Sequence, residues 1–328
     1  MKKYLHYLLL VMPIFLFAEY KNTDGNALNK SFKELLEWSR NSEDPIISFI
    51  NISTEWQEID LANEDNYVIW IGHSTFLIKK NGYTILTDPI FSERASPFKR
   101  IGPKRLIPPA LQLEDIPKID IVTVSHNHYD HLDIDSLQKI STYHPDAVFL
   151  VPAGDLKLLN RKKIKNAFEF EWWESFNANN IKFTFTPVQH WSKRGLFDRN
   201  KSLWGGWYIQ YLDYALYHAG DTGYSGDFKE TKNKLGSPKY AFIPIGAYDP
   251  EWFMAASHVN PEEALQIMID LEAEHAFGMH WGTFVLTDED TLEPPQRLKK
   301  AINDKGNINF QSLQPGKVIN LKWCHNLD

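Results

Sequence analysis

Seven side chains in this sequence have the types and the setting to hold metal ions. Four of them fall within Ser125-His126-Asn127-His128-Tyr129-Asp130-His131. A divalent transition metal takes neutral imidazole nitrogens and carboxylate oxygens that converge from several directions. The apolar, β-branched run Ile119–Val124 just before the motif reads as a buried strand, and Leu132–Leu137 begins a helix. His126, His128, Asp130 and His131 therefore lie on a strand-to-helix turn. A plain strand would send alternate side chains to opposite faces, so the turn is what lets neighbours converge. His190, Asp221 and His280 share a second pattern, in which a ligand type follows a predicted strand and adjoins Gly or Trp. Any one of these alone is more often a loop or core residue. Together they bring the set to seven, enough for two metals with a shared carboxylate and a position left open to water.

Further residues have two readings each. Asp88 ends a strand and could orient a ligand imidazole through its second N–H, or merely cap a turn. His73 could line the pocket or fill a turn between strands. Arg105 could steer a phosphate or belong to the surface of a basic loop.

The elements that must position these residues are short. Strands are expected at Tyr67–Ile71, Thr75–Ile78 and Tyr83–Leu86, the last two joined by a turn at Asn81-Gly82. Others are expected at Ala147–Val151, 181–187, Trp207–Asp213, Ala215–His218, Tyr240–Ile245 and His275–Met279. Strands that alternate with helical segments suggest α/β layering. Asn260, Pro261 and Glu263 form a helix-start signature, and Ser31–Arg40 has partial helical spacing. Residues 90–117 make a long loop rich in Pro, Arg and Lys, of the length that more often serves function.

The chain has 328 residues, and a formal net charge of -7 speaks against a general nucleic-acid surface. One cysteine, Cys324, rules out an intramolecular disulfide and any multi-cysteine zinc site. Residues 1–18 carry Lys2 and Lys3 before an apolar run, which reads as a signal peptide and points to an exported, periplasmic protein; an uncleaved anchor is the alternative. Residues 19–65 read as an N-terminal extension and 66–328 as a single catalytic domain. Core packing accounts for most of the 11 Trp residues. A Trp252-Phe253-Met254 loop, if exposed, would suit an acyl chain or a peripheral membrane contact.

With these residues in view, the chain resembles the metallo-β-lactamase superfamily. Within it the chain is similar to the N-acylphosphatidylethanolamine phospholipase D group. The matching stretches are Gly72–Thr75, Thr87–Pro89, Ser125–His131, His190-Trp191, Leu203–Gly206, Gly220–Gly223, Pro244–Tyr248, His258–Glu263 and His280–Phe284. The resemblance implies a four-layer αββα sandwich, with two mixed sheets flanked by helices and metals at one edge. It implies one Zn2+ on His126, His128 and His190, a second on Asp130, His131 and His280, and Asp221 as the bridge; another divalent metal would fit the same donors. His128 stands where the diiron redox branch of the fold carries Glu, which favours hydrolysis. His258, just before the helix start, resembles an active-site histidine of the family that would donate a proton to the leaving group; the other reading is a plain loop histidine. His218 stands where an aromatic residue is more usual and is read as packing. The implied substrate is a phospholipid or another small phosphodiester. A lactonase or amidase of the same fold is the nearer competitor, and a non-catalytic periplasmic metal-binding protein the more distant one.

Overall fold

The computed structural model describes residues 19–306 and 308–321. The expected signal segment 1–18 and Cys324 lie outside the described residues.

The first half of the chain builds one seven-stranded sheet. Its strands are β1 (Tyr67–Gly72), β2 (Thr75–Lys80), β3 (Tyr83–Thr87), β4 (Ile121–Thr123), β5 (Val148–Pro152) and β6 (Ala167–Phe170). The second half builds another from β7 (Ser175–Ala178), β8 (Ile181–Thr186), β9 (Gly206–Gln210), β10 (Ala215–His218), β11 (Tyr240–Pro244), β12 (His275–Met279) and β13 (Phe310–Ser312). The last strand, β14 (Val318–Asn320), returns to the first sheet beside β1, giving the orders β14-β1-β2-β3-β4-β5-β6 and β13-β12-β11-β10-β9-β8-β7. Each sheet is antiparallel on one side and parallel on the other, with β3 to β6 and β10 to β13 as the parallel runs. The Asn81-Gly82 turn has positive φ at both residues, as a two-residue hairpin requires.

The helices are α1 (Phe32–Asn41), α2 (Ile134–Tyr143), α3 (Leu156–Arg161), α4 (Asp227–Leu235), α5 (Glu251–Met254), α6 (Pro261–Leu271) and α7 (Glu293–Lys305). Leu137 and Ile140 of α2 pack with Leu86, Val122 and Phe149 on the outer face of the first sheet. Leu265 and Met268 of α6 cover the second sheet, and α4 and α7 pack against α6. Between the sheets lie Val68, Trp70, Phe76, Phe185, Trp207 and Phe242. Strand β1 shows why its sequence is apolar throughout: Val68 and Trp70 enter this inner core while Tyr67, Ile69 and Ile71 enter the outer one. The architecture is the αββα sandwich.

One expectation needs adjusting. Trp252–Met254 is a helical turn and not a loop, and only Trp252 is exposed, Phe253 and Met254 being buried. Among the described residues, which do not include the segment read as a signal peptide or anchor, no helix is long and apolar enough to cross a membrane.

Candidate metal centre

Strand ends on one edge of the sandwich deliver the ligand-type residues. After β4, the Ser125 amide donates to Asp88 Oδ1 (2.7 Å), and the buried Trp207 indole clamps the Val124 carbonyl (2.8 Å). The backbone then curls: the amides of His131 and Leu132 both donate to the His128 carbonyl (3.1 and 2.9 Å). That single turn gathers His126, His128, Asp130 and His131. Across the sandwich, β8 leads to His190, β10 to Asp221 and β12 to His280.

Asp221 reaches this edge because Gly220 takes a φ of +63°; a Cβ there would fall 2.5 Å from the Ser125 Cβ. His73, Asp88 and His280 also have positive φ without being glycine. Such conformations cost energy and gather where a site over-determines the backbone. The His280 amide donates to the His73 carbonyl (3.0 Å), locking two of these residues together.

The seven residues meet. Ring nitrogens of His126, His128 and His190 lie within 4.8 Å of one another, as do donor atoms of Asp130, His131, His280 and His73. Asp221 lies between the two groups. Its Oδ2 is 3.1 Å from His131 Nε2 and 3.8 Å from His126 Nε2, and its Oδ1 is 3.1 Å from His280 Nε2.

Electrostatics divides these groups by sign. Burial is the largest influence on every one of them. It holds His126 well below the usual imidazole range, His128 at about 4 and His190 at about 3, so all three are neutral imidazoles at pH 7, the form a metal takes. Burial alone would raise Asp130 and Asp221, but nearby imidazoles outweigh it and hold both carboxyls well below their ordinary value. The same attraction, working against burial, lifts His131 well above its usual range and His280 to about 9. Two buried carboxylates thus draw positive charge into the spot where the two histidine groups meet.

Several buried lone pairs at this spot suit cations. His128 Nε2, His131 Nε2, His280 Nε2 and Asp221 Oδ1 are buried without a hydrogen-bond partner. Native structures rarely leave such atoms unsatisfied unless an ion or water completes them. Cations bound to these lone pairs would complete them.

Asp88 is fully buried and accepts from the Ser125 hydroxyl (2.6 Å), while its Oδ2 lies 2.7 Å from His131 Nδ1; it orients a candidate ligand. His73 Nε2 holds Asp130 Oδ2 at 3.0 Å, and its ring lies 4.0 Å from that of His280. Arg105 gives its Nε to the Ser92 carbonyl and its Nη2 to the Ile90 carbonyl and lies over the Phe284 ring, while its Nη1 is buried without a partner. His218 joins neither ligand group; its Nε2 is 3.0 Å from the Ser74 carbonyl and its ring packs edge-on to Phe76. His258 stands at the rim, its Nδ1 3.8 Å from Asp221 Oδ2, and burial holds it at about 3.

Sequence reasoning missed Asn22, whose Oδ1 accepts from the His190 amide (3.0 Å) and the Trp204 indole (2.9 Å). The segment before α1 therefore supports the backbone of His190 from 168 residues away. Nothing in a lone polar Asn announces that contact.

A family model described as a beta-lactamase superfamily domain matches residues 83–281. An N-acyl-phosphatidylethanolamine-hydrolyzing phospholipase D of Caenorhabditis elegans is 38% identical over 266 residues, covering 77% of this chain and 75% of that protein. A mitochondrial N-acyl-phosphatidylethanolamine-hydrolyzing phospholipase D of Saccharomyces cerevisiae is 40% identical over 261 residues, covering 77% of this chain and 55% of that longer protein. Among solved structures, a metallo hydrolase from the archaeon Ignicoccus hospitalis aligns with a TM-score of 0.59 at 23% identity, covering 77% of this chain and 97% of its own.

Proposed function

We propose, on the premise that this chain belongs to the β-lactamase superfamily and is a metal-dependent hydrolase, that it cleaves the phosphodiester of an N-acylated phosphatidylethanolamine-like lipid in the manner of a phospholipase D. The products would be a phosphatidic acid and an N-acylated amino alcohol. The observation that carries this reading is the position of Asp221, with one carboxylate oxygen toward His126 and His131 and the other toward His280. That arrangement suits one cation on His126, His128 and His190, a second on Asp130, His131 and His280, and Asp221 shared. The names of the two phospholipase D relatives supply the substrate class.

Zinc fits a donor set of imidazoles and carboxylates without thiolates. Two divalent cations there would make water more acidic and offset the charge that gathers on phosphoryl oxygens. The protein's part is to hold its donors still. Asp88 fixes the His131 ring, Asn22 fixes the His190 backbone, and the Ser257 carbonyl lies 2.9 Å from His190 Nδ1. His258, neutral at pH 7, would offer an N–H to the oxygen of the departing amino alcohol as its charge builds.

A lipid substrate also suits the outside of the molecule. Helix α1 docks through Trp38, whose indole donates to Asp288 and whose ring packs on Phe253 at 5.0 Å. Its other side turns Phe32, Leu35 and Leu36 to solvent at 75%, 44% and 38% exposure, and Trp252 is exposed nearby.

The test is turnover of N-acylphosphatidylethanolamine in vesicles by the zinc-loaded protein, read by mass spectrometry, with Asp221→Asn as control. Phosphatidic acid and the N-acylethanolamide should accumulate with wild type, and the variant should be slower by about 1,000-fold or more. Intact lipid alongside an opened lactone would transfer the site to the lactonase reading.

A further inference from the structure

Two cationic side chains near the candidate metal centre make no direct ion pair among the described residues, Glu34 acting on Lys30 and Glu19 on Arg199 only at longer range. Lys30 lies in the N-terminal extension just before α1, and Arg199 in the segment that follows His190. The Lys30 ammonium is sealed from solvent without a hydrogen-bond partner, 3.7 Å from the centre of the Phe253 ring. The Arg199 guanidinium lies 4.2 Å over the Trp191 ring, and that ring meets His128 edge-on at 4.4 Å. Phe253 belongs to the short helix whose continuation carries Ser257 and His258. Arg199 therefore rests on a ring that touches a candidate ligand, and Lys30 on a ring of the helical turn that leads to His258.

The two also neighbour each other. Arg199 Nη2 donates to the carbonyl of Leu28, two residues before Lys30, and leaves its Nε buried without an acceptor. Among the described residues neither cation forms an ion pair. The carboxylate of Glu34 is committed to the amide and hydroxyl of Ser31 at the start of α1. Burial brings Lys30 down to about 8; Glu34 opposes that shift and Arg199 adds to it.

An aromatic face returns roughly 0.5–2 kcal/mol to a cation, and neither Lys30 Nζ nor Arg199 Nε has an acceptor in place of the water it has lost. Such a pair is best satisfied by an oxyanion that joins both N–H sets, a carboxylate or a phosphate.

We propose that Lys30 and Arg199 form an anion subsite at the rim of the metal centre, which receives a second negatively charged group of the substrate next to its phosphodiester. This rests on the phosphodiesterase reading and narrows its substrate class to phospholipids whose N-acylated headgroup also bears an oxyanion, such as a carboxylate. The subsite joins the N-terminal extension to the catalytic domain, so recognition of the second charge depends on both.

A non-hydrolysable pair of ligands tests it by calorimetry on the zinc-loaded full chain. Hexylphosphonate carries the phosphoryl group alone, and 6-phosphonohexanoate adds a carboxylate. Wild type should bind the carboxylated compound about tenfold more tightly. Lys30→Met and Arg199→Met should each remove most of that preference while leaving the affinity for hexylphosphonate within about twofold. Inorganic phosphate titrated into the hexylphosphonate complex distinguishes the source: binding that Lys30→Met abolishes supports the subsite but assigns it to a free phosphate. Equal affinities in wild type, or a preference that survives both substitutions, overturns the proposal. Arg199 helps to hold Leu28, so if its variant fails to fold, Lys30→Met decides, since its ammonium makes no hydrogen bond. Because no bond is cleaved, the ratio stays readable even if the lipid-hydrolysis reading fails.

Discussion

Asp88 never enters either ligand group, yet it determines how His131 stands. With its carboxylate on His131 Nδ1, on the Ser125 amide and on the Ser125 hydroxyl, it fixes both the ring and the start of the motif. Asp88→Asn should therefore weaken metal affinity by about 10–100-fold, measured by chelator competition, with the fold retained. A second buried carboxyl leads to a pH prediction. Burial pushes Asp155 up from 3.8 to about 7, although Asn127 and Ser202 donate to it and pull the other way. Folding then favours its protonated form, so its stabilisation is full below about pH 4 and is lost as pH rises towards 7. Asp155→Asn keeps an oxygen acceptor and carries no charge. In metal-free protein it should match wild type near pH 4.5 and exceed it at pH 8 by roughly 2–4 kcal/mol in urea denaturation. At this scale the ligand-type residues were legible because residue type and a place after a strand are both written locally. Asn22 and the Lys30–Arg199 pair were not, since their meaning arises only when distant segments meet.

Strand ends do the gathering, and the turn at Gly220 leaves no room for a Cβ. Gly220→Ala puts a methyl group against Ser125 in a backbone conformation that alanine resists, so it should cost about 2 kcal/mol or more and reduce metal content. Asn260→Ala is the matched control. It removes the cap that accepts from the Glu263 amide (2.8 Å) on α6, and should cost about 1 kcal/mol while metal content stays unchanged. Thermal melts and metal analysis of the two variants separate stability from site assembly. Apolar strands buried on both faces, such as β1 and β12, were readable from sequence. The edge strands β6, β7, β13 and β14 are short and only partly buried, so they carry little pattern. Helix α4 was missed because only Asp227, Phe228 and Thr231 are buried along it, too few apolar residues to mark a stripe. Helix α7 begins with two prolines in its first turn, which reads locally as a loop.

As a whole, the molecule presents an apolar helix face outward beside a polar metal centre. Burying side chains such as Phe32 and Leu35 in a bilayer interface would gain up to about 1.5–3 kcal/mol each. Phe32→Ser with Leu35→Ser should therefore lower binding to phosphatidylcholine vesicles at least about tenfold in a flotation assay, while turnover of a water-soluble phosphodiester holds. Layer order was visible from the alternation of strands and helices; which face of α1 would point outward was not, because that depends on where Trp38 finds Asp288 and Phe253. The chemistry itself is tested most directly by hydrolysing N-acylphosphatidylethanolamine in 18O-labelled water with the zinc-loaded chain. Attack at phosphorus should place the label in phosphatidic acid and none in the N-acylethanolamide. Label in a released fatty acid, or a rate that chelation leaves untouched, would contradict a metal-dependent phosphodiesterase.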